Sequence, residues 1–265
     1  MSHFSGPLDT VKVNYKNKVC TITMARPEKN NGLDQAMRKE LWPVLAALRD
    51  DNETQVVVLT GQGTHFSYGT FDAKSRADTD KETIVRMVLE GNMLIDDLES
   101  LPQITIAAIN GPARGSGVEI ALACDIRYAA TSASFLQHEA TMGGFPGGGG
   151  PVRMPIIVGH ARALEMQCAA RTITAEEARD YGLVLDVLPD EDFLNHIVGR
   201  AEHMASRGPL ALRGAKRIAK LRQAPGHADA RLLSNKLRCE LEFSRDVDEA
   251  IAALKDGRSP AFRGA

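Results

Sequence analysis

The spacing of apolar residues changes twice within the first sixty positions. Val11 and Val13, then the run from 19 to 24, alternate or cluster β-formers around a polar Tyr15-Lys16-Asn17-Lys18 segment, which predicts an opening hairpin. Leu33, Met37, Leu41, Val44, Leu45 and Leu48 then recur at helical spacing behind Asp34, a side chain suited to an N-cap, so an amphipathic helix is expected to run to about Asp50. Residues 56–60 form a continuous apolar run. Strand, helix and strand in that order predict a parallel crossover rather than a meander.

The alternation continues. A glycine-bearing loop over 61–70 and a charged, apolar-poor stretch over 72–81 precede helical spacing at 87–98, a buried strand at 104–109 and a short strand at 126–129. Beyond about residue 190 strand signals stop, and 193–206, 210–221, 231–243 and 246–254 read as helices. The expected architecture is an α/β body over residues 1–195 with a helical C-terminal segment over 196–265. Neither repeats nor low-complexity tracts interrupt it.

Composition narrows the field of functions. With 265 residues and 43% hydrophobic content the chain has material for a large core. Its 32 Lys and Arg against 34 Asp and Glu give a formal charge of -2, so nucleic acid and anionic membranes are not expected partners. Cysteines stand alone at 20, 124, 168 and 239, without metal or disulfide spacing, and the histidines are scattered, so no metal site is expected. No window reaches the roughly 18 apolar residues of a membrane span and residues 1–10 lack signal-peptide character, which gives a cytoplasmic expectation.

The segment richest in chemistry is Asn110-Gly111-Pro112-Ala113-Arg114-Gly115-Ser116-Gly117-Val118-Glu119, where a strand feeds a small-residue turn that opens a helix expected over 118–124. Free amides at a helix start suit a developing negative charge on oxygen, although the glycines alone equally permit tight strand-to-helix packing. Glu119 stands in the first turn of that helix, and Glu139 follows twenty positions later, ahead of the glycine run 143–150. Two carboxylates near glycine-rich backbone can share a water and divide acid and base work, provided burial and the neighbour's charge hold one of them protonated. Ser116, His138 and Asp125 supply the residue types of a nucleophilic triad, but Gly115-Ser116-Gly117 lacks the Gly-x-Ser-x-Gly elbow. The glycine pairs match no nucleotide-phosphate motif.

Taken together, Arg26-Pro27-Glu28-Lys29-Asn30, the loop Gly61-x-Gly63-x-x-Phe66-Ser67-x-Gly69, the run from Ile106 through Gly111 and Gly115-x-Gly117-x-Glu119-x-Ala121-x-Ala123-Cys124-Asp125, and the ending with Gly257-Arg258-Ser259-Pro260 resemble the crotonase superfamily of enoyl-CoA hydratases and isomerases. The likeness spans about residues 11–263. It implies a spiral of ββα units, a helical trimerisation segment, and a homotrimer or dimer of trimers. It also implies an acyl-CoA thioester as substrate, coenzyme A entering as part of that substrate and not as a separate cofactor. By this analogy the amides of Thr70 and Ser116 polarise the thioester carbonyl, Glu119 orients and activates water, and Glu139 exchanges a proton at the α-carbon. Having both acids favours reversible syn hydration of a 2-enoyl-CoA. Lys29 and Arg258 are expected to meet the cofactor's phosphates.

Three departures from the family pattern bear on substrate. The usual Ala-Gly-Ala-Asp reads Tyr68-Gly69-Thr70-Phe71-Asp72, which implies a narrowed or aromatic-lined pocket at Tyr68 and Phe71. Ser116 replaces a glycine, keeping the amide while restricting positive φ and adding a hydroxyl. His138 replaces a proline beside Glu139. Other reactions of the superfamily (double-bond isomerisation, thioester or β-diketone hydrolysis) and a non-catalytic acyl-CoA-binding role are the alternatives.

Overall fold

A computed structural model describes residues 4, 6–69, 81–142, 146–223, 245–246, 249, 252–253, 256–258 and 260–264. The opening hairpin is β1 (Val11–Lys16) against β2 (Val19–Met24), turned by Asn17 and Lys18 at φ 50° and 63°. Helix α1 (Gln35–Asp50) starts where expected, the Asp34 carboxylate accepting the Met37 N–H at 3.0 Å. Strand β3 (Val56–Gly61) lies parallel to β2, as the crossover predicted. There follow α2 (Lys81–Glu99), β4 (Ile104–Ile109), β5 (Ala113–Arg114), α3 (Ser116–Ala123), β6 (Ile126–Ala130) and β7 (Ser134–Leu136). Helices α4 (Gly150–Val158) and α5 (His160–Cys168) lead to β8 (Ile173–Thr174), α6 (Ala175–Asp180) and β9 (Asp186–Leu188), followed by α7 (Phe193–Ala205) and α8 (Pro209–Gln223); the described residues 245–246, 249 and 252–253 are helical as well.

Two sheets run through the body. The larger has the order β1-β2-β3-β4-β6-β9, parallel throughout except for the hairpin. The smaller has the order β5-β7-β8, and a lone bridge from Ser67 to Ala113 continues it towards the loop after β3. Twice the chain lays a strand in the large sheet, a short strand in the small one, then a helix. The pairs β4 with β5 before α3, and β6 with β7 before α4, are the two circuits.

Because the parallel strands are covered on both faces, they read as unbroken apolar runs. Val57 and Leu59 of β3 face a core shared with α1, α2 and α3, while Val56 and Val58 face Phe193, Ile197, Ala201 and Ala205 of α7. Full burial of one such side chain contributes roughly 1.5–3 kcal/mol. The division expected between residues 195 and 196 falls inside α7, which packs on β2, β3 and β4. Strands β5, β7, β8 and β9 and helices α4, α5 and α6 are additions to the sequence reading; the strands have only two or three residues, too few to show an alternation. The loop at 72–80 and the helix expected at 231–243 lie outside the described residues, as do Thr70 and Phe71.

Candidate active site

Two loops at the carboxyl ends of β2 and β3 are locked together by one enclosed amide. Asn31, 0% exposed, donates from Nδ2 to the carbonyls of Gln62 and His65 at 2.9 and 2.8 Å, and its Oδ1 accepts the Arg26 N–H at 2.9 Å. The Ser67 hydroxyl donates to Asn31 O at 2.8 Å, and the Tyr68 N–H to Asn30 O at 3.0 Å. Asn110 closes the β4 end in the same way, accepting the Gly61 N–H at 3.0 Å and donating to Gly63 O at 2.9 Å. The motif residues around positions 26–31, 61–69 and 110 therefore form the frame that positions Gly69.

Opposite Gly69 stands the start of α3. Gly115 is its N-cap at φ 53°, so the left-handed conformation falls on a glycine and Ser116 is spared it. Gly69 N–H donates to Arg114 O at 2.8 Å and Gly115 N–H to Leu136 O at 2.9 Å, which fixes both strands of the turn. As the first residue of α3, Ser116 presents an N–H without an intrahelical acceptor, with the positive end of the helix behind it. A Cβ placed on Gly69 would stand 3.4 Å from that nitrogen and 3.6 Å from Ser116 Oγ, so the absent side chain leaves the amide room for a ligand atom.

Both acids converge here. A Cβ on Gly115 would meet Glu139 Oε1 at 3.0 Å and His138 Cε1 at 3.6 Å, and one on Gly148 would meet Glu119 Oε2 at 2.5 Å and Ile95 at 2.9 Å. Glu119 is 2% exposed, and its Oε1 accepts the Gly150 N–H at 2.9 Å. Burial raises its pKa to about 7 against the pull of that amide, and the charge of Glu139 adds to the rise. Glu139, in a 3-10 turn over Glu139–Met142, is also raised by burial, opposed by nearby amides and by the charge of His138. Its Oε2 is enclosed with no hydrogen-bond partner among the described residues. Two electrostatically coupled carboxylates, both biased towards the proton, thus flank a glycine-lined space beside a helix-start amide.

The other expected residues distribute differently. Lys29 is exposed on the rim, its Nζ 4.0 Å from Asp34. The Tyr68 ring packs edge-on to His65 at 5.0 Å, with the Arg114 guanidinium 5.8 Å from its centroid. Arg258 does not join Lys29 within one chain: its guanidinium holds Glu249 at 2.6 Å, and Ala261 N–H donates to that same carboxylate. The neighbouring Phe262 carbonyl accepts from Lys18 in the β1–β2 turn, at the opposite end of the sheet from Gly69. The triad types are separated as well, since Asp125 lies past the far end of α3 from Ser116. It binds Thr105 N–H at 2.8 Å and Lys216 at 2.6 Å. No group of three or more His, Cys, Asp or Glu is placed to hold a metal among the described residues.

Two features of the site escaped the sequence reading. Arg153 braces the glycine loop, donating to Gly148 O at 3.0 Å while gripping Asp96 and Glu99 of α2 at 2.5 and 2.6 Å. An Arg in the first turn of α4 carries no motif of its own. The second is the service of Gly148 and Gly150 to Glu119, hidden in a run that reads only as loop. Behind this loop a cavity of about 850 Å3 opens between α2, α4 and α8, lined by Leu122, Ile126, Gly148, Ile156 and Leu212.

Comparison with known proteins identifies the family. A family model described as enoyl-CoA hydratase/isomerase matches residues 14–265. A probable enoyl-CoA hydratase of Rhodobacter capsulatus is 37% identical over 96% of this chain and 98% of its own length. The (E)-benzylidenesuccinyl-CoA hydratase of Thauera aromatica is 36% identical over 96% of this chain and 99% of its own. The crystal structure of an enoyl-CoA hydratase from Bacillus anthracis superposes with a TM-score of 0.92 at 35% identity, covering 97% of this chain and 100% of that one. With its alternating strands, crotonase-like α/β fold and match across nearly its whole length, the chain belongs to the enoyl-CoA hydratase/isomerase family of the crotonase superfamily.

Proposed function

We propose that this protein is an enoyl-CoA hydratase that adds water reversibly and syn across the double bond of a 2-enoyl-CoA. The observation that carries the reading is the coupling of two enclosed glutamates, Glu119 and Glu139, beside the Ser116 amide. In the hydration direction the thioester oxygen takes the Ser116 N–H, with Thr70 N–H as the expected second donor. Glu119 draws a proton from water as the oxygen bonds to Cβ, and the π electrons move onto the thioester oxygen as an enolate. Glu139 then delivers its proton to Cα. Both new bonds form on the face that the two acids share, which is syn addition. Burial suits the acids to this exchange, because neither is held firmly ionised and one proton can rest on either.

Lys29 on the rim and Tyr68 on the framing loop are the groups we assign to the incoming CoA thioester. The assembly we propose is a homotrimer or dimer of trimers. Val152 and Ile156, a turn apart on α4 and 71% and 56% exposed, support it as an apolar surface for a second copy. Multi-angle light scattering reads the mass directly, and a monomer would remove this part of the reading. No helix among the described residues is long and apolar enough to cross a membrane.

Crotonyl-CoA tests the activity. Loss of the conjugated thioester absorbance with formation of 3-hydroxybutyryl-CoA is the expected result, and longer and branched enoyl-CoAs then define the acyl preference. Release of free acid, or a shifted double bond without hydration, would replace the hydratase reading with another reaction of the family.

A further inference from the structure

Arg38 is a cation enclosed without an anion. It is 8% exposed, on the face of α1 that meets α2. Its Nη1 donates to the Met87 carbonyl of α2 at 3.1 Å, while Nη2 is enclosed with no hydrogen-bond partner among the described residues. Asp34 and Glu90 lie near enough for their charges to favour its own, but among the described residues neither pairs with it, and Asp34 is taken by Arg26 at 2.5 Å. Enclosing an unpaired charge opposes folding, and Met or Leu would cover the same helix face without that cost.

Glycine brings this charge close to the acids. A Cβ on Gly91 would stand 3.2 Å from Arg38 Nη1, so a residue that weakens a helix interior is what admits the guanidinium to α2. Val88, Gly91 and Ile95 follow one another at helical spacing and share a face. The two side chains that flank Gly91 border the glycine loop. A Cβ on Gly147 would be 3.3 Å from Val88, and one on Gly148 would be 2.9 Å from Ile95 and 2.5 Å from Glu119 Oε2. This wall of α2 is thus apolar at Ile95 and Val88 and cationic at Gly91.

We infer that Arg38 is a specificity residue, and that the acyl groups preferred here carry a second carboxylate at the end away from the thioester. The inference rests on the hydratase reading for the placement of the acyl Cβ at Glu119. From there the chain runs along α2 past Ile95 and Val88, and its terminal carboxylate accepts from Nη2 of Arg38. A carboxylate matches the planar donor edge of a guanidinium, and pairing it lifts the penalty of the enclosed charge. A methyl end leaves that charge unpaired and gains nothing from it.

The test pairs 2-hexenoyl-CoA with the same chain bearing a carboxylate in place of its terminal methyl group, and repeats the comparison with the eight-carbon pair. Hydration kcat and KM are measured for the wild type, Arg38→Met and Arg38→Lys, together with the rise in melting temperature given by the saturated hexanoyl-CoA and adipyl-CoA. The wild type should favour the carboxylated chain about 10-fold or more in kcat/KM at one of the two lengths. Arg38→Met should lose about 10- to 100-fold on that substrate and stay within about threefold on its methyl-ended partner, with Arg38→Lys in between. A wild type without preference for the carboxylated chain at either length overturns the inference. So does an equal effect of Arg38→Met on both chain ends, which marks a brace for α2 or a contact to the phosphates that every CoA ester carries. Should Arg38→Met fail to fold, the wild-type preference and Arg38→Lys decide the matter. A wild type that hydrates no chain removes the hydratase reading; the melting shifts then judge Arg38 alone, a larger rise with adipyl-CoA than with hexanoyl-CoA upholding its role and an equal or smaller one overturning it.

Discussion

Replacing Glu119 by Gln should stabilise the fold in a pH-dependent way while slowing the chemistry. Buried at 2% exposure, the carboxyl has its pKa raised from 4.5 to about 7. Between those values the folded chain holds a proton that the unfolded chain releases, so stability falls as pH rises through this window, and the cost is complete above pH 7. At pH 8 forced ionisation costs about 3 kcal/mol, and at pH 5 about 1 kcal/mol. A Gln side chain carries neither cost. Glu119→Gln should therefore gain about 2 kcal/mol more over wild type at pH 8 than at pH 5, or about 5 °C in melting temperature for a chain of this size. Any pH-independent cost of the substitution, such as an amide nitrogen facing the Gly150 N–H, cancels in that difference. Melts at both pH values and one protomer concentration measure it. Equal offsets at the two pH values would show that Glu119 is not strained by ionisation and would refute the electrostatic account of the site.

Glu119→Gln and Glu139→Gln should each lower kcat for crotonyl-CoA hydration by roughly 10² or more, while a CoA product still raises the melting temperature; rates equal to wild type would contradict both assigned roles. Arg153→Met strips the Gly148 carbonyl of its donor and unties the glycine loop from α2. Its expected cost is about 2 kcal/mol in urea unfolding together with a loss of kcat, and a stable, fully active variant would deny the loop its brace. Gly150→Ala drives a methyl group between Gln137 Nε2 and Glu119 Oε1, at 2.5 and 3.2 Å from them. Hydration should fall about 10-fold or more with KM near wild type, because the displaced Glu119 carboxyl is the group assigned to water; a change confined to KM would relocate the contact to substrate binding.

How much of this was legible beforehand differs by feature. Helix α1 announced its start through Asp34 and its buried face through Leu41, Val44, Leu45 and Leu48, because an N-cap and a long helical period are both local signals. The parallel strands were equally plain, since covering on both faces leaves an unbroken apolar run. Ser116, Glu119 and Glu139 could be singled out because residue type and nearby glycine already specify what they can do. Gly150 could not: its value lies in a contact with Glu119, thirty-one positions earlier in the chain, that only the packing of α4 against α3 creates. Arg258 shows how little a motif says of a residue's local partners. Its place in a motif said nothing of the Glu249 and Asp256 carboxylates that engage it at the far end of the sheet.

The same packing explains why a site of this kind must be braced. Glu119 is enclosed against its preference for water, Glu139 Oε2 and both ends of the Gln137 amide are enclosed without partners, and Gly148 and Gly150 give up side-chain contacts to make room. Each of these opposes folding locally, so the surrounding structure has to over-determine the arrangement. It does so on three sides. Asn31 ties the loop after β2 to the loop after β3, Asn110 ties that second loop to the end of β4, Gly115 is held by Leu136 of β7, and Arg153 ties Gly148 to Asp96 and Glu99. These bonds do not reach the reacting atoms. They hold the two carboxylates where burial raises their proton affinity above that of ordinary glutamates.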